Sequence, residues 1–235
     1  MRKTGGELDS IRVSLASVED TRAIGAVKRR VWPQETVRDD LIRAALTHRT
    51  HAVLAAWRDE NLVGFVDGFM TRSAAGVPRW EVDLLAVHPD HQGRSLGTRL
   101  VSASLKAGAE MGARLARGLV RLDNLASQRV FERCGFSPRP RQFELHVSTG
   151  VDGSCPHMPP EGYWIEVQTF GYRGLWLEER FTQTSLESAA CACRSRNLDL
   201  AGALIPAEDG VALQAARRLG YSRVGEYQWW VKELV

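Results

Sequence analysis

At 235 residues, with 44% hydrophobic and 25% charged side chains, the chain has the make-up of a globular protein, sized for one large domain or one domain plus a fragment. A net charge of +3 is too small to argue for a nucleic-acid partner, despite the arginines between Arg114 and Arg141, and no run is apolar enough to cross a bilayer. Residues 1–7 carry no signal-peptide core, and Cys134, Cys155, Cys191 and Cys193 have no zinc spacing. A reduced, cytoplasmic setting without a metal is therefore expected.

Residues 11–15 read as a first strand, and Ser17 to Asp20 offer N-caps for a helix running to Val31, where Trp32-Pro33 breaks it. Residues 38–47 read as a second helix. Residues 51–57 and 62–70 alternate as a hairpin around Arg58-Asp59-Glu60-Asn61. A strand over 77–87 leads into His88-Pro89-Asp90-His91-Gln92-Gly93-Arg94-Ser95-Leu96-Gly97-Thr98, and a helix follows to about Met111. After it come a strand over 113–120, a helix from Asn124 closed by Gly135, and a strand over 142–148. The order describes an α/β domain with a mixed sheet.

The junction after Val87 is the most informative stretch. A strand feeding a glycine-bearing loop and then a helix leaves backbone N–H groups unpaired at the positive end of the helix dipole, a cradle for phosphate or pyrophosphate. Gly93 and Gly97 let the backbone approach an anion closely. The loop is not a nucleoside-triphosphate P-loop, because Thr98-Arg99 follow Gly97. It also has two glycines where the dinucleotide fingerprint has three.

Gln92-Gly93-Arg94-Ser95-Leu96-Gly97 resembles the Gln/Arg-x-x-Gly-x-Gly/Ala loop of the GNAT superfamily of N-acetyltransferases, with Ser95 where the family usually has Gly. Asn124-Leu125-Ala126-Ser127-Gln128-Arg129-Val130-Phe131-Glu132-Arg133-Cys134-Gly135-Phe136 is similar to the family's Asn-x-x-Ala-x-x-x-Tyr-x-Lys-x-Gly-Phe, in the expected order and spacing. The resemblance implies a mostly antiparallel GNAT-like sheet flanked by helices over residues 1–150. It implies acetyl-coenzyme A as co-substrate, held by Leu85, Ala86, Val87, Gln92, Gly93, Arg94, Ser95, Leu96, Gly97, Thr98, Asn124, Ser127, Phe131 and Arg133. The backbone of Leu85 and Val87 would pair with the pantetheine arm.

Acetyl transfer to an amine needs a base, a polarised thioester and a leaving thiolate. Glu81 and Asp83 lie two apart on the strand before the loop, hence on one face. Glu81, where many relatives place their base, is the first choice and Asp83 the second. The family's usual acid is the motif's Tyr, and this chain has Phe131. Tyr172 or Tyr227 of the tail could substitute. The resemblance puts the acceptor pocket near residues 31–49, with Trp32, Gln34, Glu35 and His48 as lining.

Residues 150–162 read as a Pro/Gly-rich linker, and the tail over 151–235 repeats the first domain's ending. Ala212, Arg218 and Gly220-Tyr221 fall at the places of Ser127, Arg133 and Gly135-Phe136; residues 187–196 read as helix and 198–205 as strand. The stretch 171–177 is at best a remnant of a glycine loop, so this partial copy is expected to bind no cofactor. The expected function is direct N-acetylation of a small primary amine, with a homodimer as the candidate assembly. A non-catalytic acyl-coenzyme A-binding module and a peptide acetyltransferase are the alternatives.

Overall fold

The computed structural model describes residues 11–149 and 162–234. The N-terminal segment and most of the expected linker, with Cys155, lie outside them. The first run of elements is β1 (Ile11–Leu15), α1 (Thr21–Val31), α2 (Asp39–Thr47), β2 (His51–Arg58), β3 (Asn61–Arg72), β4 (Pro78–Val87), α3 (Leu96–Glu110), β5 (Leu115–Arg121), α4 (Leu125–Arg133) and β6 (Ser137–Ser148). The second is β7 (Tyr163–Gln168), β8 (Arg173–Glu179), α5 (Gln183–Ser195), β9 (Leu200–Pro206), α6 (Gly210–Arg218) and β10 (Ser222–Glu233). All ten strands join one sheet in the order β1-β2-β3-β4-β5-β10-β6-β9-β8-β7.

Local chemistry explains the elements of the first half. The β2–β3 hairpin turns at Asp59, whose φ of 54° an Asp tolerates better than most residues. Interior β3 is buried almost throughout, as a central strand covered on both faces must be. Trp80 of β4 is fully buried beneath α3 and donates its indole N–H to Ser104 Oγ at 2.9 Å. A Cβ at Gly68 or Gly108 would stand 2.4 Å from that ring, so two glycines let α3 settle on the sheet. That seating fixes where the helix N-terminus sits relative to β4.

The second half resembles the first in order and pairing. β4 and β5 are parallel, and so are β8 and β9. Asn124 caps α4 by accepting from Ser127 N–H, and Asp209 caps α6 by accepting from Ala212 N–H, with nearly equal backbone angles. Gly135 and Gly220 end these helices at φ 81° and 76°, and one sequence offset separates both pairs. The long last strands are exchanged: β10 pairs with β5, β6 pairs with β9, and β6 and β10 pair with each other. Neither half's sheet is complete without the other.

The halves differ where the cradle lies. Residues 88–95 link β4 to α3, whereas only 180–182 link β8 to α5. Thr182 caps α5 through Ser185 N–H, and Ser185 Oγ turns back onto Arg180 O and Thr182 O. Of the expected remnant, Gly171 is in the β7–β8 turn and Gly174 is inside β8, not at a helix start.

Candidate active site

The loop after β4 makes an open cradle. A 3-10 turn over Pro89–His91 is followed by Gly93 at φ 73° and Ser95 at φ 57°, and α3 begins at Leu96. The left-handed angle at Ser95 explains why a glycine would suit that place. Among the described residues no acceptor meets the backbone N–H groups of Gly93, Ser95, Leu96, Gly97 or Thr98; that of Arg99 is the first to find one, on Ser95 O at 3.1 Å. Thr98 Oγ1 is buried without a partner. Gln92 is spent otherwise, its amide tying the loop to Val87 O at 3.0 Å.

These groups open on a cavity of about 400 Å³ between α3 and α4. Of the residues expected there, Leu85, Val87, Gln92, Gly93, Ser95, Leu96, Gly97, Thr98, Ser127 and Arg133 line it. His91, Ala126, Arg129 and Val130 join them, which the motif did not show. Gly97 is tight against the neighbouring helix, since a Cβ would stand 3.2 Å from Val130 Cγ2. Four expected residues are outside the lining. Arg94 is beside it, Ala86 is buried in the core, and Asn124 caps α4. Phe131 is 4% exposed, stacked on Phe136 at 4.6 Å and edge-on to Trp230 at 6.5 Å.

Further back on β4 a second cleft opens because β4 and β5 part company. Their parallel ladder covers only Arg79–Glu81 against Leu115–Arg117. On the other edge, a bulge in β4 at Asp83 and Leu84 breaks its register with β3. Glu81, Val82 and Asp83 line the cleft with Gly118 and Leu119 of β5 and Trp229 of β10. The second half closes it with Ile165, Val167, Thr169, Tyr172 and Trp176.

The two candidate bases have opposite surroundings. Glu81 is buried, and both of its oxygens accept from Arg117 Nε, at 2.9 and 2.8 Å. Thr71 Oγ1 also donates to it. Arg117 and Arg79 are shared with Glu178 of β8, the latter at 2.8 Å, so four charged side chains clamp the halves together. The lone pairs of Glu81 are thus already engaged. Asp83 is open to solvent within the cleft, yet the surrounding protein desolvates it. That desolvation first, and the Asp67 carboxylate second, push its pKa up to about 7. A carboxyl that is half ionised near neutrality and reachable by solute suits proton abstraction.

Tyr172 lies in the same cleft, and its phenol is held well above its usual pKa, chiefly by burial and then by Asp83. Burial also raises Tyr227, on β10 opposite Arg121. Of the expected acceptor lining, Glu35 is bound to Lys28 at 2.5 Å and Trp32 faces that same ammonium at 5.7 Å. His48 lines a separate polar cavity. Cys134 is buried with its thiol pKa pushed up by burial. Among the described residues no cluster could hold a metal ion, and no helix is long and apolar enough to cross a membrane.

The Acetyltransferase (GNAT) family profile matches residues 18–136, and the chain belongs to that family, whose members are acyltransferases. Among solved structures, YncA of Salmonella typhimurium, bound to its cofactor acetyl-CoA, shares 23% identity over 57% of this chain and 83% of its own, with a TM-score of 0.51. Two structures match nearly end to end. A candidate acetyltransferase of Pyrococcus horikoshii shares 12% identity over 100% of this chain and 93% of its own, at a TM-score of 0.63. A GCN5-related N-acetyltransferase of Sphaerobacter thermophilus shares 15% over 96% of each chain, at 0.59. The likeness is of fold, and it spans both halves. No curated protein sequence matches the chain.

Proposed function

We propose that the protein transfers an acetyl group from acetyl-coenzyme A directly to a small primary amine, with Asp83 as general base. The carrying observation is the solvent-open Asp83 carboxyl with a pKa of about 7. It stands four residues along β4 from the start of a cradle with free N–H groups and an orphaned Thr98 hydroxyl. The cradle's unpaired donors suit a pyrophosphate. Arg129 and Arg133 on its rim add positive charge.

A primary amine is mostly protonated at neutral pH, so it must lose a proton before it can attack a thioester. Asp83 takes it, and the freed amine adds to the carbonyl carbon. The C–S bond then breaks, and the sulfur leaves with the electron pair as a thiolate of pKa near 8.5, needing modest help. The space around Asp83 is only about 40 Å³, which favours an amine on a slender small molecule over a folded peptide.

The second half acts as a wall and not as a second catalyst: it lacks the cradle but supplies one side of the cleft. Calorimetric titration with acetyl-coenzyme A tests the reading. One site per chain is expected, abolished by Gly97→Trp, which fills the space next to Val130. Thiol release with a panel of small amines should then identify acceptors. No binding by the wild type would sink the enzymatic reading.

A further inference from the structure

Asp83 has a neighbour that no motif singles out. The β3–β4 ladder pairs Val66 with Leu85 and Gly68 with Val82, leaving Asp67 opposite Asp83 and Leu84 in the bulge. Asp67 is 0% exposed. Its Oδ1 is 3.1 Å from Nδ1 of His51, whose ring stacks on Phe69 at 5.0 Å. Its Oδ2 has no hydrogen-bond partner among the described residues. Buried carboxylate oxygens are rarely left so, because desolvation without a donor is costly.

His51 in turn lines a second, polar cavity of about 290 Å³ with His48, Thr50, Gln168 and Arg173. Phe69 and Val167 wall both this cavity and the Asp83 cleft. The charged groups about Asp83 are Glu81 on its own strand, Arg117 on β5, Tyr172 from the second half and Asp67 on β3. Those about His51 are Asp67, His48, and Glu166 and Arg173 across the polar cavity.

Resting on Asp83 as the base, we propose that Asp67 and His51 carry the amine's proton from Asp83 to the polar cavity while co-substrate and acceptor fill the cleft. The stoichiometry demands an outlet. An ammonium and a thioester give an amide, a thiol and one free proton: of the two protons the nitrogen loses, one ends on sulfur and one must leave. Co-substrate and acceptor in the cleft would cover the face by which solvent reaches Asp83. Asp67 Oδ2 has no hydrogen-bond partner among the described residues, Oδ1 is bonded to His51, and the imidazolium formed there would lose its proton to water in the second cavity. Asp67 and His51 act through Asp83 and are positioning residues in this scheme.

Two measurements test the relay. In the first, histidine ¹⁵N shifts of the whole protein are followed against pH, in wild type and in Asp83→Asn, without any acceptor. The His51 shifts should respond to Asp83→Asn; identical shifts in both proteins would overturn the relay, whatever the enzyme does. The second uses an amine found by thiol release. His51→Ala should lower kcat about tenfold or more, and added imidazole should restore it, with acetyl-coenzyme A affinity unchanged. A kcat that does not fall, or that imidazole does not restore, overturns the relay. Loss of acetyl-coenzyme A binding by the wild type would instead overturn the function proposed above and leave the histidine titration standing.

Discussion

Glu81 and Arg117 meet on the last rung of the parallel β4–β5 ladder, and both carboxylate oxygens accept from one Nε, at 2.9 and 2.8 Å. The pair marks the point beyond which the two strands diverge. It also carries, through Glu178, the charged bond between the first and second halves. Glu81 thereby holds the cleft's wall, and its neighbour Asp83 faces the cleft's contents.

Removing the Glu81 charge should hence cost stability before chemistry. Glu81→Gln leaves Arg117 and Arg79 sharing only Glu178, in a site where all four side chains are largely buried. Breaking a buried pair on one side typically costs about 3–5 kcal/mol. Urea denaturation should show a loss of that order. A variant as stable as wild type would show that the clamp contributes nothing.

Asp83→Asn should do the reverse. The side chain is solvent-open and keeps its shape, so the protein should fold and bind acetyl-coenzyme A as before. Amine acetylation should drop by about 10²–10⁴, the usual worth of a positioned base. In the wild type the rate should rise with pH through about 7, as Asp83 ionises. The stability change has the opposite sign. A carboxyl whose folded pKa is raised from 3.8 to about 7 binds more protons folded than unfolded between those values. Its contribution is full below pH 3.8 and is lost as pH climbs to about 7. Thermal melts of wild type against Asp83→Asn across that window check the sign.

Ser95 offers a gain. At φ 57° it holds a left-handed angle that costs a residue with a Cβ about 1–2 kcal/mol. Ser95→Gly should relieve that, less about 0.4–1 kcal/mol for a freer unfolded chain. A net rise in melting temperature of about 1–3 °C is expected. Gly93→Ala should fall instead: its φ is 73° and nothing lies within 4 Å of a new Cβ, so backbone strain acts alone. Equal shifts in both variants would mean that the loop relaxes freely.

The first half was legible because its signals are local. Strand 11–15 and the helix ending at Val31 have the bounds their patterns imply, and the helix after Asn124 with its Gly135 stop is formed as read. β6 begins at Ser137, earlier than its expected start at 142, because Pro138 and Pro140 hide a strand in the sequence. The exchange of β6 and β10 was not legible, since register between distant strands leaves no trace in either one alone. The site divides the same way. The cradle follows from loop and helix chemistry, but the engagement of Glu81 depends on Thr71 and Arg117, which neighbouring strands bring to it. Those partners leave no local trace in the strand that carries Glu81 and Asp83. Asp67 and His51 meet across the β2–β3 hairpin, and Asp67 comes opposite Asp83 only through the bulge in β4.

Phe131 and Tyr172 frame the question of how the thiolate leaves. The family's hydroxyl is missing at Phe131, whose ring lies over Gly118 on the cleft floor; a Cβ there would be 2.3 Å from Cε1. Tyr172 enters the cleft from the opposite wall, and burial with Asp83 beside it keeps its phenol protonated across the working range. A phenol that stays protonated can donate a hydrogen bond to the developing thiolate. Tyr172→Phe should thus lower kcat about 10²-fold with little change in KM for acetyl-coenzyme A. Adding Phe131→Tyr should recover part of that loss, because the new hydroxyl would emerge beside Gly118, near where β4 and β5 separate. Steady-state kinetics of the single and double variants decide it. An unchanged kcat in Tyr172→Phe would assign the departure of sulfur to water alone.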